Sequence, residues 1–195
     1  AADLLIARGP PDRVGSASKG GKRWLFFVGM ALAGAVFGYS GATLIDDLFR
    51  KPDGVLGVGL IFAALPLVWL VVVGWHELGH VVGGWLIGGR FMLWVVGPFM
   101  LNRTPHGLRF GRNRSVNLGG GLAVCAPTDV SLVTPARMSV MILGGPLSSL
   151  LLALLTWTLL QGPLAGFGPI AYNILALNAL ISALIFVVTL APFMA

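Results

Sequence analysis

Residues 71–84 read VVVGWHELGHVVGG and place three ionisable side chains in an otherwise apolar run. His76 and His80 are four residues apart, so on a helix their imidazoles lie on one face and can bind the same metal ion. Glu77 can reach a water molecule at that ion. In zinc hydrolases of this spacing, imidazoles hold the metal and a carboxylate acts as general base. The stretch therefore predicts a zinc site on a helix, with Glu77 as the catalytic residue.

The apolar surroundings of this motif strengthen the prediction. Ionisable side chains are costly inside an apolar span and are usually present there for a function. Two of the three histidines of the sequence lie in the motif, and Glu77 is the single glutamate of the whole sequence. The competing interpretation is a structural helix in which both histidines are buried and hydrogen-bonded, which would offset the cost of burying them.

The composition predicts an integral membrane protein. Hydrophobic residues make up 56% of the sequence and charged residues only 10%, and the charges cluster between long apolar runs. The net charge of +6 comes from basic residues that flank these runs, which indicates contact with anionic lipid headgroups and not with nucleic acid. Cys125 is the only cysteine, so it cannot form an internal disulfide and does not indicate a redox compartment.

The apolar runs predict an α-helical membrane domain over residues 24–195, preceded by a flexible basic tail at residues 1–23. We expect Pro66 to kink the second span and the Gly-Gly-Pro sequence at 144–146 to break or thin the third. The four predicted spans cover residues 24–45, 55–87, 138–160 and 170–190.

The distribution of charge predicts the orientation of these spans. The loop at residues 46–54 contains three aspartates and is the least basic of the substantial polar segments, so it should face away from the cytoplasm. The N-terminal tail is then cytoplasmic. The second span descends from the outer side, and it carries His76 and His80 into the inner half of the membrane.

Residues 88–135 differ from the rest of the chain. Apolar stretches of strand length, at residues 91–96 and 122–125, alternate with Gly, Pro, Asn and Arg, which favours hairpins over another long helix. We predict a small β-rich insert on the cytoplasmic side between the second and third spans. An exposed strand edge in it could pair with an extended peptide. The alternative is a folded loop whose arginines contact lipid.

The order of these motifs resembles the site-2 protease family of intramembrane zinc metalloproteases. The resemblance covers about residues 55–192 and rests on WHELGH at 75–80, the strand-rich stretch after it, Gly-Gly-Pro in the next span and an asparagine-bearing last span. It implies that His76 and His80 bind Zn²⁺ and that Glu77 activates water to hydrolyse a transmembrane or membrane-proximal peptide. It also implies a substrate-binding or structural role for four residues of the last two spans: Gly144, Gly145, Pro146 and Asn178.

Two positions depart from the family's pattern. Ser149 stands where the family usually has Asn, and Thr189 begins a TLAP sequence where the family has Asn-Leu-Leu-Pro followed by an aspartate ligand. Since catalytic zinc sites use three protein ligands, we expect the third ligand to follow Ala195, in a longer natural chain. Five other side chains are less suitable candidates: Asp3, Asp12, His106, Cys125 and Asp129.

These departures leave a second function open. A catalytically inactive, protease-like member could serve as a scaffold or as a subunit of a larger membrane complex, and the small-residue faces of the helices suit such partners. A metal sensor or carrier is a weaker alternative, because the sequence offers few ligands for transport.

Overall fold

The computed structural model describes residues 48–114, 119–129, 131 and 133–190. These residues form three α-helices and four β-strands. The helices are α1 (Gly54–Leu86), α2 (Pro135–Gln161) and α3 (Pro169–Leu190), and the strands are β1 (Gly89–Val96), β2 (Phe99–Thr104), β3 (Gly107–Arg112) and β4 (Gly121–Pro127). The predicted basic tail and first span lie outside the described residues.

The three helices coincide with the second, third and fourth predicted spans. They contain 33, 27 and 22 residues, and each is long and apolar enough to cross a membrane. Helix α2 begins three residues earlier than predicted. Pro135 suits the first helical position because it lacks the N–H that a first turn leaves unpaired, and the Thr134 side chain accepts a hydrogen bond from the Arg137 N–H.

The predicted break in the third span is wrong, because α2 continues through Pro146. A proline removes one backbone donor from a helix, and that loss is tolerated where neighbouring groups hold the adjacent turns. The Ser148 hydroxyl donates to the Gly145 carbonyl at 2.8 Å and also contacts the Trp75 carbonyl of α1 at 3.1 Å. Helix α1 likewise continues through Pro66.

The insert between α1 and α2 is a four-stranded antiparallel sheet, as predicted, with the strand order β3-β2-β1-β4. The two predicted apolar stretches lie in β1 and β4, which pair with Val95 opposite Leu122. The β2–β3 hairpin adds two strands where the sequence interleaves arginine, glycine and apolar residues. The strands β3 and β4 form the two edges of the sheet.

The three helices pack around one apolar cluster. Val68 and Val72 of α1 contact Leu152 of α2, and two isoleucines of α3, Ile181 and Ile185, cover them. At the other end of α3, Ile170 lies next to Gly57 of α1. Helices α1 and α3 therefore run in the same direction, and the described end of α3 reaches the level of the histidine motif in α1.

The sheet packs along the C-terminal half of α1. The Trp94 indole N–H donates to the Gly74 carbonyl at 3.3 Å, and the Trp69 indole N–H donates to the Gly119 carbonyl at 2.8 Å. Gly84 lies against Cys125 so closely that an added Cβ would come within 2.6 Å of the sulfur. These contacts place β4 beside the motif.

Candidate metal centre

Helices α1 and α2 meet at two glycines, one of which is the glycine of the motif itself. A Cβ built on Gly79 would collide with the Gly144 carbonyl, and a Cβ on Gly144 would collide with the Gly79 carbonyl. The Trp75 indole N–H adds a hydrogen bond to the Ser148 carbonyl at 3.0 Å. The motif therefore faces α2 at backbone contact, a close approach that small residues permit.

The two imidazoles of the motif face each other. The Nε2 atoms of His76 and His80 are 3.2 Å apart, and the His76 side chain is buried. The Nδ1 atom of His80 lies 2.9 Å from the Met141 carbonyl oxygen. Because a carbonyl can only accept, Nδ1 of His80 carries the hydrogen, and in the neutral ring its Nε2 lone pair points at His76.

Ser149 orients the first imidazole. Its Oγ lies 2.9 Å from Nδ1 of His76, and the serine is fully buried. A hydroxyl can donate or accept, so this hydrogen bond is compatible with either tautomer of His76. Ser149 follows Gly145 by four residues and therefore lies on the same face of α2. The sequence analysis named Ser149 only as a departure from the family's pattern, so its contact with His76 was not predicted.

The histidine pair fits a zinc ion. Two nitrogens bound tetrahedrally to zinc at 2.0–2.1 Å lie about 3.3 Å apart, and the observed Nε2–Nε2 separation is 3.2 Å. Gly145 keeps the adjacent space open, because a Cβ there would collide with Nε2 of His80 and lie 2.7 Å from Nε2 of His76. The Nδ1 atoms of His80 and His76 contact the Met141 carbonyl and the Ser149 hydroxyl, respectively. Hydrogen-bond partners at this ring position orient metal-binding histidines.

Glu77 lies between the histidine pair and the edge of the sheet. Its carboxylate is buried and lies close to the backbone N–H of Ala123 in β4. A Cβ on Gly121, at the start of β4, would lie 2.7 Å from Oε1 of Glu77. The sequence predicted a strand here, but not that its first residue must be glycine to admit the carboxylate.

No third ligand joins the pair within the described part of the chain, where no three His, Cys, Asp or Glu side chains are close enough to hold a metal. His106 is exposed in the turn between β2 and β3. Asp129 is exposed after β4, and the Ser131 backbone N–H lowers the pKa of its carboxyl. Asp3 and Asp12 lie outside the described residues.

Cys125 and Thr189 are also engaged elsewhere. The Cys125 sulfur is 3.8 Å from the Val81 carbonyl oxygen, and burial raises the pKa of its thiol, which disfavours the thiolate that metals bind. The Thr189 hydroxyl donates to the Ile185 carbonyl of its own helix at 2.6 Å. Neither side chain completes the site.

Of the four remaining predicted residues, the structure brings Gly144 and Gly145 to the motif but not Asn178, and Pro146 is fully buried next to Gly145. The Asn178 side-chain oxygen accepts a hydrogen bond from the Thr156 hydroxyl of α2 at 3.3 Å, so Asn178 joins α2 to α3. Thr156 is seven residues beyond Ser149, or about 10 Å along the helix axis. The structure therefore gives Asn178 a packing contact at a distance from the histidines.

Comparison of this chain with family models, curated proteins and solved structures gives no match. The resemblance to site-2 proteases therefore stays a prediction that rests on the motifs of the sequence. The geometry of His76, His80 and Glu77 is an independent basis for considering the chemistry of the site.

Proposed function

We propose that this protein is an intramembrane zinc metalloprotease of site-2 protease type. The observation that carries the proposal is the pair of facing Nε2 atoms at 3.2 Å, with the Glu77 carboxylate on the adjacent residue of the same helix. Metal-assisted peptide hydrolysis uses imidazoles that are oriented by hydrogen bonds to their second ring nitrogen, together with a buried carboxylate.

Each residue of the site has a role in this proposal. His76 and His80 hold the zinc ion, which when bound supplies Lewis-acid polarisation of the scissile carbonyl and makes water more acidic. Glu77 takes the proton of the attacking water and delivers it to the departing amide nitrogen. Leu190, the last described residue of α3, lies near the level of His76, because α3 runs parallel to α1.

The substrate in this proposal is an extended segment of a transmembrane or membrane-proximal peptide. Strand β4 is an edge of the sheet and lies beside Glu77, so a peptide that adds to this edge would present its backbone near the carboxylate. Backbone pairing recognises an unfolded segment with little dependence on its sequence. Discrimination among substrates would then come from pockets that accept every second side chain of the extended peptide.

The proposed setting is a membrane with the β-sheet and the N-terminus on the cytoplasmic side. Three apolar helices support a multi-pass protein, and a fourth span is expected at residues 24–45. Residues 88–137 contain six arginines and one acidic residue, Asp129, which favours the cytoplasmic side for the sheet. In this topology water reaches the site from the cytoplasm.

The proposal is tested by substituting Glu77 with Gln in the protein. We expect one zinc per chain in both proteins, and cleavage of a transmembrane peptide reduced by about 10² to 10⁴-fold in the variant, because the proton carrier is lost. Metal analysis and a gel-based cleavage assay give the two readouts. The variant H76N/H80N is the control that removes the metal as well. Cleavage by Glu77→Gln at the wild-type rate would contradict the proposal.

One observation favours an inactive, scaffold-like member as the second candidate. The facing Nε2 atoms also satisfy each other as a metal-free hydrogen bond, and the described residues include no third ligand beside them. A protein purified with stoichiometric membrane partners and without zinc would support this function. The metal analysis above therefore separates the two candidates before any substrate is known.

A further inference from the structure

Three arginines surround a cavity at the outer edge of the sheet, away from the histidine pair. The cavity has a volume of about 290 Å³. Asn102 of β2 forms part of its wall and stands directly opposite Arg109 of β3 in the strand register. The three basic residues that line it are Arg109, Arg112 and Arg114.

Among the described residues, no acidic group balances the positive charge of this cavity. Within the described residues, none of the three arginines forms a salt bridge. Asp129, the one acidic residue between α1 and α2, follows β4 at the opposite edge of the sheet. Three arginines that line one cavity concentrate positive charge there, which a bound anion would offset.

Asn102 provides a second, independent sign of a missing partner. Its side-chain oxygen is buried and has no hydrogen-bond partner among the described residues. A buried amide without a partner is costly, and a half-turn of the amide exchanges its oxygen for its NH₂ donor. A ligand with oxygen acceptors in the cavity would satisfy that donor.

The position of the cavity indicates where the anion comes from. Asn113 joins the end of β3 to the β1–β2 turn, through its backbone N–H to the Pro98 carbonyl at 2.8 Å. Pro98 shares an apolar cavity with Phe62 and Trp69 of α1. Asn113, which lies between Arg112 and Arg114 in the chain, is therefore held to a turn that borders α1.

We propose that this cavity binds a phosphate group, carried by an anionic phospholipid or present as free phosphate. Guanidinium forks match the oxygens of a phosphate in a bidentate way, and several forks can share one phosphate. The three apolar helices of the same chain favour a phospholipid as the source of the phosphate. The site is independent of the zinc centre, so it stands whether or not the protein is a protease.

Lipid binding to the full chain in neutral detergent tests the proposal. The probes are short-chain phosphatidylglycerol, short-chain phosphatidylcholine and inorganic phosphate, and native mass spectrometry counts the bound molecules. We expect one phosphatidylglycerol per chain at saturation. The double variant R112Q/R114Q should bind it about tenfold or more weakly, because two charge-assisted contacts are lost.

The variants R90Q and R137Q are the matched controls, since each removes an arginine that does not line this cavity. They should change the affinity by less than about twofold, and circular dichroism should show the same helix content in all variants. Saturable binding of inorganic phosphate that depends on Arg112 and Arg114, without lipid binding, would support the site with free phosphate as its ligand. Equal affinity of the wild type and R112Q/R114Q for every probe would overturn the proposal.

Discussion

Ser149 illustrates how one buried hydroxyl can decide the orientation of a candidate ligand. Its contact with Nδ1 of His76 directs the other ring nitrogen toward His80. Partners behind metal-binding histidines commonly contribute 10- to 100-fold to metal affinity. Ser149 is therefore a positioning residue of the candidate site, because it orients the His76 imidazole.

Substituting Ser149 with Ala should weaken zinc binding by about 10- to 100-fold, since the His76 ring loses its partner. Competition with a chromogenic chelator measures the affinity in detergent. The variant S148A is the control, because the Ser148 hydroxyl contacts the carbonyls of Trp75 and Gly145 and no imidazole. Equal zinc affinity of the S149A variant and the wild type would show that Ser149 does not position the ligand.

At the level of single residues, the sequence indicated the ionisable groups and, through the resemblance, Gly144 and Gly145, but it did not indicate Gly121. His76, Glu77 and His80 were evident from spacing alone. Gly121 was not, because its role depends on which strand edge approaches the helix, and strand pairing joins residues distant in sequence. The contact of Ser149 was likewise hidden until the register of α1 against α2 was known.

The crossing of α1 and α2 determines the geometry of the site at the level of elements. The helices meet at Gly79 and Gly144 without intervening side chains, and this contact sets the distance from the histidines to Ser149. A methyl group at the crossing would separate the helices. The motif glycine is therefore a packing residue, while its neighbours supply the chemistry.

The variant G79A should be destabilised by about 1–3 kcal/mol, as expected when a well-packed contact is overfilled. Thermal unfolding in detergent, followed by tryptophan fluorescence, measures the loss. The variant G59A is the matched control on the same helix, since a Cβ at Gly59 meets nothing within 4 Å. A G79A variant as stable as G59A would contradict the close crossing.

The secondary structure was predictable wherever long apolar runs determine it. Three predicted spans correspond to α1, α2 and α3 within a few residues, since burying backbone in an apolar phase demands complete helical hydrogen bonding. The effect of Pro146 was not predictable, because tolerance of a missing donor depends on tertiary contacts. Hairpins were predicted for residues 88–135 as a whole, but the bounds of β2 and β3 were not, since arginines interrupt the apolar alternation that marks strands.

At the scale of the whole molecule, Arg50 connects the start of the described chain to the turn between α2 and α3. Its guanidinium donates to the carbonyls of Ala165 and Phe167, each at 2.7 Å, and lies 3.9 Å from the centre of the Tyr172 ring. The Asn173 side chain completes the connection through the Arg50 backbone. The hydrogen-bond partner of Asn173 is therefore the loop that precedes α1.

Substituting Arg50 with Ala should lower the stability of the protein by about 2–4 kcal/mol, since two charge-assisted hydrogen bonds and a cation–π contact are lost. Chemical unfolding in mixed micelles measures the change. Arg50→Lys keeps the charge but cannot reach two carbonyls with one planar fork, so it should recover only part of the loss. If R50A unfolds at the wild-type midpoint, the connection does not stabilise the fold.

The facing imidazoles have a consequence for how protons are distributed when a cation enters. The Met141 carbonyl fixes the proton of His80 on Nδ1, whereas the Ser149 hydroxyl can reverse its direction. In a neutral, metal-free pair, Nε2–H of His76 donates to His80. A cation between the rings would shift that proton to Nδ1 of His76, where Ser149 accepts it. Binding of a cation to the neutral histidine pair would therefore release no net proton and require no movement of either helix. Nitrogen chemical shifts of the two imidazoles would report this binding better than changes in the backbone.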